Sequence, residues 1–186
     1  TRIIIVLSIL RQALGTQQTP PNQVLIAIAL FLSLFIMQPT LTQIYDSALS
    51  PFLSETISAD AAIAEASRVM KDFMVANTRR DTLLMFSDMA GATAYESNAD
   101  IPFSTLLPAF ITSELKTAFQ IGFLIFLPFL VVDMVIASIL MSLGMMMLSP
   151  MLVSLPFKLL LFVLVDGWAM TVGSLAATFS TPWGTM

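Results

Sequence analysis

Hydrophobic residues form long runs toward both ends of the chain, with a more polar stretch between them. Near the start, apolar runs from Ile3 to Leu14 and from Val24 to Met37 flank the segment GTQQTPPN. Glycine and two prolines in this segment disfavour helix, so we expect a helical hairpin that turns there, over residues 1–37. The second run is shorter than the roughly 20 residues that cross a bilayer upright, and Pro39 is expected to end it. We expect the upstream part of the first helix to lie before Thr1.

The middle of the chain, residues 38–104, has the composition of a water-exposed helical region. Between residues 46 and 100 there are nine acids and four bases, a net charge of −5. Ser58 is expected to cap a first helix, because its hydroxyl can accept a bond from a free backbone N–H at the helix start. A second helix is expected from Arg79 to Ala90.

Both of these helices place apolar residues at three- and four-residue spacing, which is typical of amphipathic helices. The first helix contains Phe73 and the second contains Phe86. We expect each ring to lie in a hydrophobic core and not in a binding site. Because the region is small, that core could also be shared between subunits.

Two long apolar segments within residues 105–186 meet at the stretch LGMMMLSPMLVSLP. Gly144 loosens the backbone there, and Pro150 disfavours helix at the residue before it, so we expect a second helical hairpin. Its tip carries three consecutive methionines, Met145, Met146 and Met147. Flexible thioether side chains could simply fill an irregular gap between helices. At a hairpin tip they could instead form a soft seal that closes on itself and fits varied surfaces.

Each arm of this second hairpin carries an ionisable residue within an apolar run, Asp133 on the first arm and Lys158 on the second. If the hairpin turns at the methionines, both residues lie about 18 Å from the tip, at a rise of about 1.5 Å per residue. An isolated charge in a low-dielectric setting costs several kcal/mol, so we predict that the two residues pair. The pair could be a salt bridge within one subunit, or it could join neighbouring subunits or move during function.

Composition places the chain in the membrane class. Hydrophobic residues make up 57% of it and charged residues only 11%, against about 25% charged residues in an ordinary soluble domain. Histidine and cysteine are both absent, which excludes imidazole and thiolate metal ligands, histidine bases and disulfides. We therefore expect no metal and no cofactor. The net charge of −4 and the scattered basic residues do not indicate a basic surface that would bind nucleic acid.

Five ionisable residues interrupt the two arms of the C-terminal hairpin: Glu114, Lys116, Asp133, Lys158 and Asp166. Such residues face protein or a water-filled passage more readily than lipid. Glu114 and Lys116 point to different faces of a helix, so Glu114 needs another partner. We therefore expect the arms to be largely buried among other subunits of an assembly.

Three long blocks carry a specific resemblance to known proteins. They read TRIIIVLSILRQALGTQQTPPNQVLIAIALFL, PAFITSELKTAFQIGFLIFLPFLVVD and SILMSLGMMMLSPMLVSLPFKLLLFVLVDGW. With these blocks the sequence resembles the FliP/SctR family, integral components of the bacterial type III protein export gate. The segment GTQQTPPNQ resembles that of flagellar members more than that of virulence-associated ones. The resemblance implies an all-α protein of helical hairpins in a membrane-associated, oligomeric export-gate assembly.

The same resemblance implies partners and a location. It implies a pentamer with FliR-type and FliQ-type subunits, FlhA-type and FlhB-type export proteins as further partners, and unfolded flagellar proteins as substrates. The location is the bacterial inner membrane within the flagellar basal body, with the middle region on the periplasmic side. Phe73 and Phe86 fall in the part that family members use between subunits. Family members are longer than this chain and begin with a cleaved signal peptide.

The resemblance also implies roles for individual residues. Residues 145–147 match the methionine loop that forms a gasket across the pore of family members. Asp133 and Lys158 match the charged pair of the family's hairpin, and Glu114 matches the acid in the PAFITSELK block. The implied function is a subunit that conducts unfolded flagellar proteins and performs no covalent chemistry.

Other functions stay open. The chain could be a structural nucleator that templates assembly of the gate, or the equivalent subunit of a virulence injectisome. A secondary ion transporter is disfavoured because the resemblance to an export family is so broad. An enzyme is disfavoured because the sequence offers no constellation of nucleophile and base.

Overall fold

Every regular element in the residues that the computed structural model describes (1–16, 18–91, 95, 97–145 and 147–179) is a helix. This confirms the expected all-α fold. In chain order the helices are α1 (Arg2–Ala13), α2 (Asn22–Ile44), α3 (Ser50–Leu53), α4 (Ala59–Ala76), α5 (Arg80–Met89), α6 (Phe103–Ser142), α7 (Pro150–Leu164) and α8 (Gly167–Ala177). A π-helical turn, Tyr45–Leu49, connects α2 to α3, and a 3₁₀ turn, Asn98–Asp100, precedes α6.

The chain divides into two compact units. The first contains Thr1–Phe31 and Thr117–Ala176, and the second contains Leu32–Lys116 with the described residues from Ala177 onward. Two of the three boundaries fall inside the long helices α2 and α6, and the third falls at the last residue of α8. The segments that the sequence suggested, 1–37, 38–104 and 105–186, follow composition instead and stay predictions.

The core of the first unit lies where α1, α6 and α7 meet. Leu10 and Leu14 at the end of α1 pack with Phe129 of α6 and Phe162 of α7. The ring centroids of Phe129 and Phe162 are 6.4 Å apart, and those of Phe162 and Trp168 of α8 are 5.4 Å apart, with the latter two rings nearly perpendicular at 86°. Burial of these apolar side chains holds α6 and α7 side by side.

The second unit has a separate core between α4, α5 and the start of α6. Met74, Ile101 and Leu106 are buried in it, and Leu83 of α5 packs against them. Ser58 caps α4 as predicted, because its side chain accepts the backbone N–H of Ala61. The amphipathic pattern of α4 and α5 is therefore used to build this core.

The prediction that Pro39 ends the second helix was wrong. Helix α2 continues to Ile44 with Pro39 inside it, and the helical path runs on through α3, giving 32 residues from Asn22 to Leu53. Proline removes one backbone hydrogen bond and its ring crowds the carbonyl one turn earlier, but the remaining bonds of the helix carry the chain past it. This longer helix, unlike the short apolar run, could cross a bilayer.

Two helices among the described residues are long and apolar enough to cross a membrane, Asn22–Leu53 and Phe103–Ser142. Helices α7 and α8 together could form a third span, bent by 63° at the break between them. The sequence predicted a hairpin of two long arms, and the structure divides the second arm into α7 and α8. Asp166 at the break has φ 49°, a left-handed conformation that Asp adopts more readily than most residues.

Candidate functional site

Helices α6 and α7 form an antiparallel hairpin whose register is defined by two contacts. Asp133 of α6 meets Lys158 of α7, and Phe129 meets Phe162. Moving four residues back along α6 is matched by moving four residues forward along α7. The two contacts therefore lie one turn apart on facing sides of the two helices.

A buried cluster of three polar side chains occupies the first of these positions. Lys158 Nζ lies 2.5 Å from Asp133 Oδ2, and Ser154 Oγ donates to Asp133 Oδ1 at 2.5 Å. The Lys158 side chain is 2% exposed and that of Asp133 is 25% exposed. Each carboxylate oxygen thus has its own donor, which offsets the cost of removing the charges from water. The structure pairs Asp133 and Lys158 within one chain.

Ser154 was missed in the reading of the sequence. It is fully buried and lies four residues before Lys158, on the same face of α7. The available signal was this four-residue spacing. Serines within apolar helices commonly bond a carbonyl of their own helix, as Ser138 and Ser142 do here, so spacing alone did not distinguish Ser154.

The tip of the hairpin is exposed. Helix α6 ends at Ser142, and Gly144 takes φ +71°, a left-handed conformation that glycine adopts without a steric penalty. The side chain of Met147 is fully exposed and that of Met145 is exposed. Met146 lies outside the described residues. Met145 and Met147 therefore add little to the core of this chain.

Glu114 is not part of the Asp133 cluster, because it belongs to the second unit. Its side chain is buried on α6. The neighbouring residues of α6 contact α5: Lys116 Nζ lies 2.9 Å from Asp81 Oδ2, and Ser113 Oγ accepts the backbone N–H of Arg79 at 2.9 Å. The hydrogen bond from Lys116, followed by one from the Thr82 backbone, holds the pKa of Asp81 below its ordinary value.

Phe73 and Phe86 both lie in the second unit and are half-buried. The Phe73 ring packs at the edge of the core there, with its centroid 6.4 Å from that of Phe110. Contacts between subunits, which the family resemblance implies for both rings, stay a prediction. No group of three or more Asp or Glu side chains suited to a metal ion occurs among the described residues.

The chain is similar to one family over almost its whole length. The family described as FliP matches residues 1–175. The chain is 75% identical over 184 residues to the flagellar biosynthetic protein FliP of Cereibacter sphaeroides, covering 99% of this chain and 60% of that protein. It is 56% identical to the protein of that name from Bacillus subtilis, covering 96% of this chain and 81% of the relative. For the Aquifex aeolicus protein of that name the identity is 49%, with 96% and 76% covered.

Proposed function

Because the chain belongs to the FliP family, as its sequence blocks predicted, we propose that it is a pore-forming subunit of the flagellar type III protein export apparatus. In this function it conducts unfolded flagellar proteins across the inner membrane. Residues 145–147 close the channel when no substrate occupies it. The relatives are named flagellar biosynthetic proteins, which favours the flagellar apparatus over the equivalent subunit of an injectisome.

The observation that carries this proposal is the exposed methionine tip on a braced hairpin. Met145 and Met147 are exposed, while Asp133 and Lys158 tie the two arms together behind them. An export channel must admit varied side chains and still hold back ions. Unbranched thioethers can repack around varied shapes, and an apolar constriction opposes ion passage by excluding water. A ring of such tips from several subunits meets both requirements.

Exposed apolar surface supports an assembly. Large side chains such as Phe31 of α2, Phe119 of α6 and Leu164 of α7 are exposed in the single chain. Apolar surface on this scale is expected to be covered by lipid or protein. We propose that copies of this chain, in a pentamer, and FliQ-type and FliR-type subunits cover it, with FlhA-type and FlhB-type proteins nearby. The helices Asn22–Leu53 and Phe103–Ser142 support a place in the inner membrane of the basal body.

Ion conductance tests the seal. Replacing residues 145–147 together with alanine, in the full-length protein assembled with its gate partners, should raise the resting conductance several-fold in planar bilayers. The reason is that alanine methyl groups leave the constriction wider and unable to exclude water. As a matched control, Met170→Ala removes an exposed methionine on α8, away from the tip, and should leave the conductance unchanged.

A second function, templating assembly of the gate, is favoured by the same exposed apolar faces of α6 and α7. The alanine replacement separates the two functions. A complex that assembles fully and leaks supports the seal. A complex that assembles fully with unchanged conductance contradicts the seal and leaves templating as the better account, and a failure of assembly confined to the tip variant would assign the methionines to assembly.

A further inference from the structure

We propose that a groove beside α1 binds an anionic phospholipid, with the phosphate at Arg11 and an acyl chain along the isoleucines of the helix. The groove has a volume of about 600 Å³ and lies between α1, Phe119 of α6 and Met151 of α7, all within the first unit. Sites for small molecules typically have volumes of about 300–1,000 Å³. The proposal goes beyond the proposed function, because it involves neither the methionine tip nor export.

Polarity changes along the wall of the groove that α1 contributes. Ile4, Ile5 and Ile9 line the groove toward the start of the helix, and Arg11 and Gln12 line it at the end. From Ile4 to Arg11 the helix rises about 10 Å, at about 1.5 Å per residue. An amphiphile with a charged group at one end matches this arrangement, because its chain can leave water against the isoleucines while its headgroup stays beside the arginine.

The guanidinium of Arg11 is held at the polar end of the groove by the turn between α1 and α2. Its Nη1 donates to the carbonyl oxygen of Pro20 at 3.2 Å and to Oδ1 of Asn22 at 2.7 Å. A guanidinium carries three further protons on Nε and Nη2, in a planar arrangement that matches two oxygens of a phosphate. A positioned guanidinium of this kind is well suited to bind a phosphate.

The charges around the groove favour an anion. Residues 1–45 contain two arginines and no acid. Among the described residues that line the groove, Arg11 is the one ionisable side chain. The acids of the first unit lie elsewhere, since Asp133 contacts Lys158 and Asp166 lies at the break between α7 and α8. A cation in an apolar setting gains stability from a counter-charge, and here a bound anion would supply it.

A phospholipid fits the groove better than the two other occupants that could be considered. Phe119 belongs to α6, which is long and apolar enough to cross a membrane, and basic pockets between membrane helices bind the headgroups of anionic lipids. A free phosphate would contact Arg11 but leave the isoleucines facing water. An apolar helix of a partner would cover the isoleucines but bring no charge to the arginine. A phospholipid does both.

Lipid titration followed by native mass spectrometry tests the role of the charge. The full-length protein in a non-ionic detergent should bind dioleoyl phosphatidylglycerol about ten-fold more tightly than dioleoyl phosphatidylcholine, because only the former carries a net negative charge. Arg11→Gln should abolish this preference, and Arg11→Lys should keep most of it. As the matched control, Arg80→Gln removes the same charge from an exposed side chain of α5, in the second unit, and should leave the preference unchanged.

A bulky side chain at Ser8 tests the groove without altering its charge, and this test stays valid if Arg11→Gln weakens the turn. Ser8 lines the groove, and its Oγ donates to the Ile4 carbonyl at 2.7 Å. Ser8→Phe should fill the space of the acyl chain and weaken phosphatidylglycerol binding by about ten-fold. Ser138→Phe is the matched control, because Ser138 is exposed on α6 and its Oγ likewise donates to a carbonyl of its own helix, at 2.8 Å. It should leave binding unchanged.

Several results would overturn the proposal. Equal affinity for the two lipids, or a preference that survives Arg11→Gln, would show that Arg11 does not recognise the headgroup. Binding that Ser8→Phe leaves unchanged would place the lipid elsewhere on the chain. Displacement of phosphatidylglycerol by inorganic phosphate would assign the site to a free anion, and loss of lipid binding in the assembled gate would assign the groove to a partner subunit. None of these results depends on ion conductance, so each can be distinguished from a failure of the methionine seal.

Discussion

The two members of the buried ion pair are not equivalent. The Lys158 side chain is 2% exposed, whereas a quarter of Asp133 reaches the surface of the chain. Asp133 also keeps a second donor in Ser154 if the lysine is removed. Among the described residues, Asp133 is the one acidic side chain that forms a salt bridge with Lys158. Removing one partner should therefore have very different consequences depending on which one is lost.

We expect Asp133→Asn to destabilise the protein by about 3–5 kcal/mol, because it leaves a buried ammonium without a counter-charge. Lys158→Met should cost less, about 1–3 kcal/mol, because the remaining carboxylate is partly exposed and still hydrogen-bonded. Equilibrium unfolding of the purified full-length protein in detergent, followed by circular dichroism, measures both.

The double variant Asp133→Asn with Lys158→Met provides the control. It carries no buried charge and should be more stable than Asp133→Asn alone. Equal losses in the two single variants, or a double variant that is less stable than either, would contradict this account of the pair.

The break between α7 and α8 depends on a close contact at Gly167. A Cβ placed on Gly167 would collide with the aromatic ring of Phe162, whereas one placed on Gly173 meets nothing within 4 Å. Phe162 is buried and touches both Phe129 and Trp168. The absence of a side chain at Gly167 therefore lets the chain turn tightly around the core of the first unit.

Alanine at these two glycines should have opposite effects. Gly167→Ala should destabilise the protein by about 1–3 kcal/mol, because the rigid Phe162 ring must move. Gly173→Ala should be neutral or stabilise it by up to about 1 kcal/mol, since alanine favours helix and has free space there. Thermal unfolding of the two variants side by side measures the difference. Equal stability of the two variants would show that the Phe162 ring can move aside at no cost in stability.

Helix pairing was predictable where charge and turn chemistry agreed. Glycine, proline and the matched heights of Asp133 and Lys158 all indicate the same hairpin, and the structure contains it. The break after α7 was not predicted, because the run around it is apolar apart from Asp166 and Gly167. The expectation that Pro39 ends its helix failed because a helix-breaking residue was present but the helix continued past it. A local helix-breaking tendency yields when the helix on both sides has enough bonds and apolar contacts to continue.

Contacts between distant parts of the sequence were the least predictable feature. Spacing indicated that α4 and α5 are amphipathic, but it did not indicate that Ile101 and Leu106 complete their core. Likewise, nothing in the local pattern pairs Lys116 with Asp81, 35 residues earlier. Periodicity reports which face of an element is apolar, while the partner of that face is chosen by the fold. The partners and substrates that we propose come from the family and not from periodicity.

Placement of α4 and α5 on the periplasmic side of the inner membrane can be tested by labelling single cysteines, because the sequence contains none. Ala64 is exposed on α4 and lies in the acidic region, whereas Phe31 is exposed on the apolar helix α2. In cells with a permeabilised outer membrane, Ala64→Cys should react with a membrane-impermeant maleimide, because an acidic amphipathic helix favours water over lipid. Phe31→Cys should stay unlabelled until detergent is added, since lipid or partner subunits cover it. Labelling of Ala64→Cys only after the inner membrane is permeabilised would place this region in the cytoplasm and contradict the periplasmic placement that the family resemblance implies.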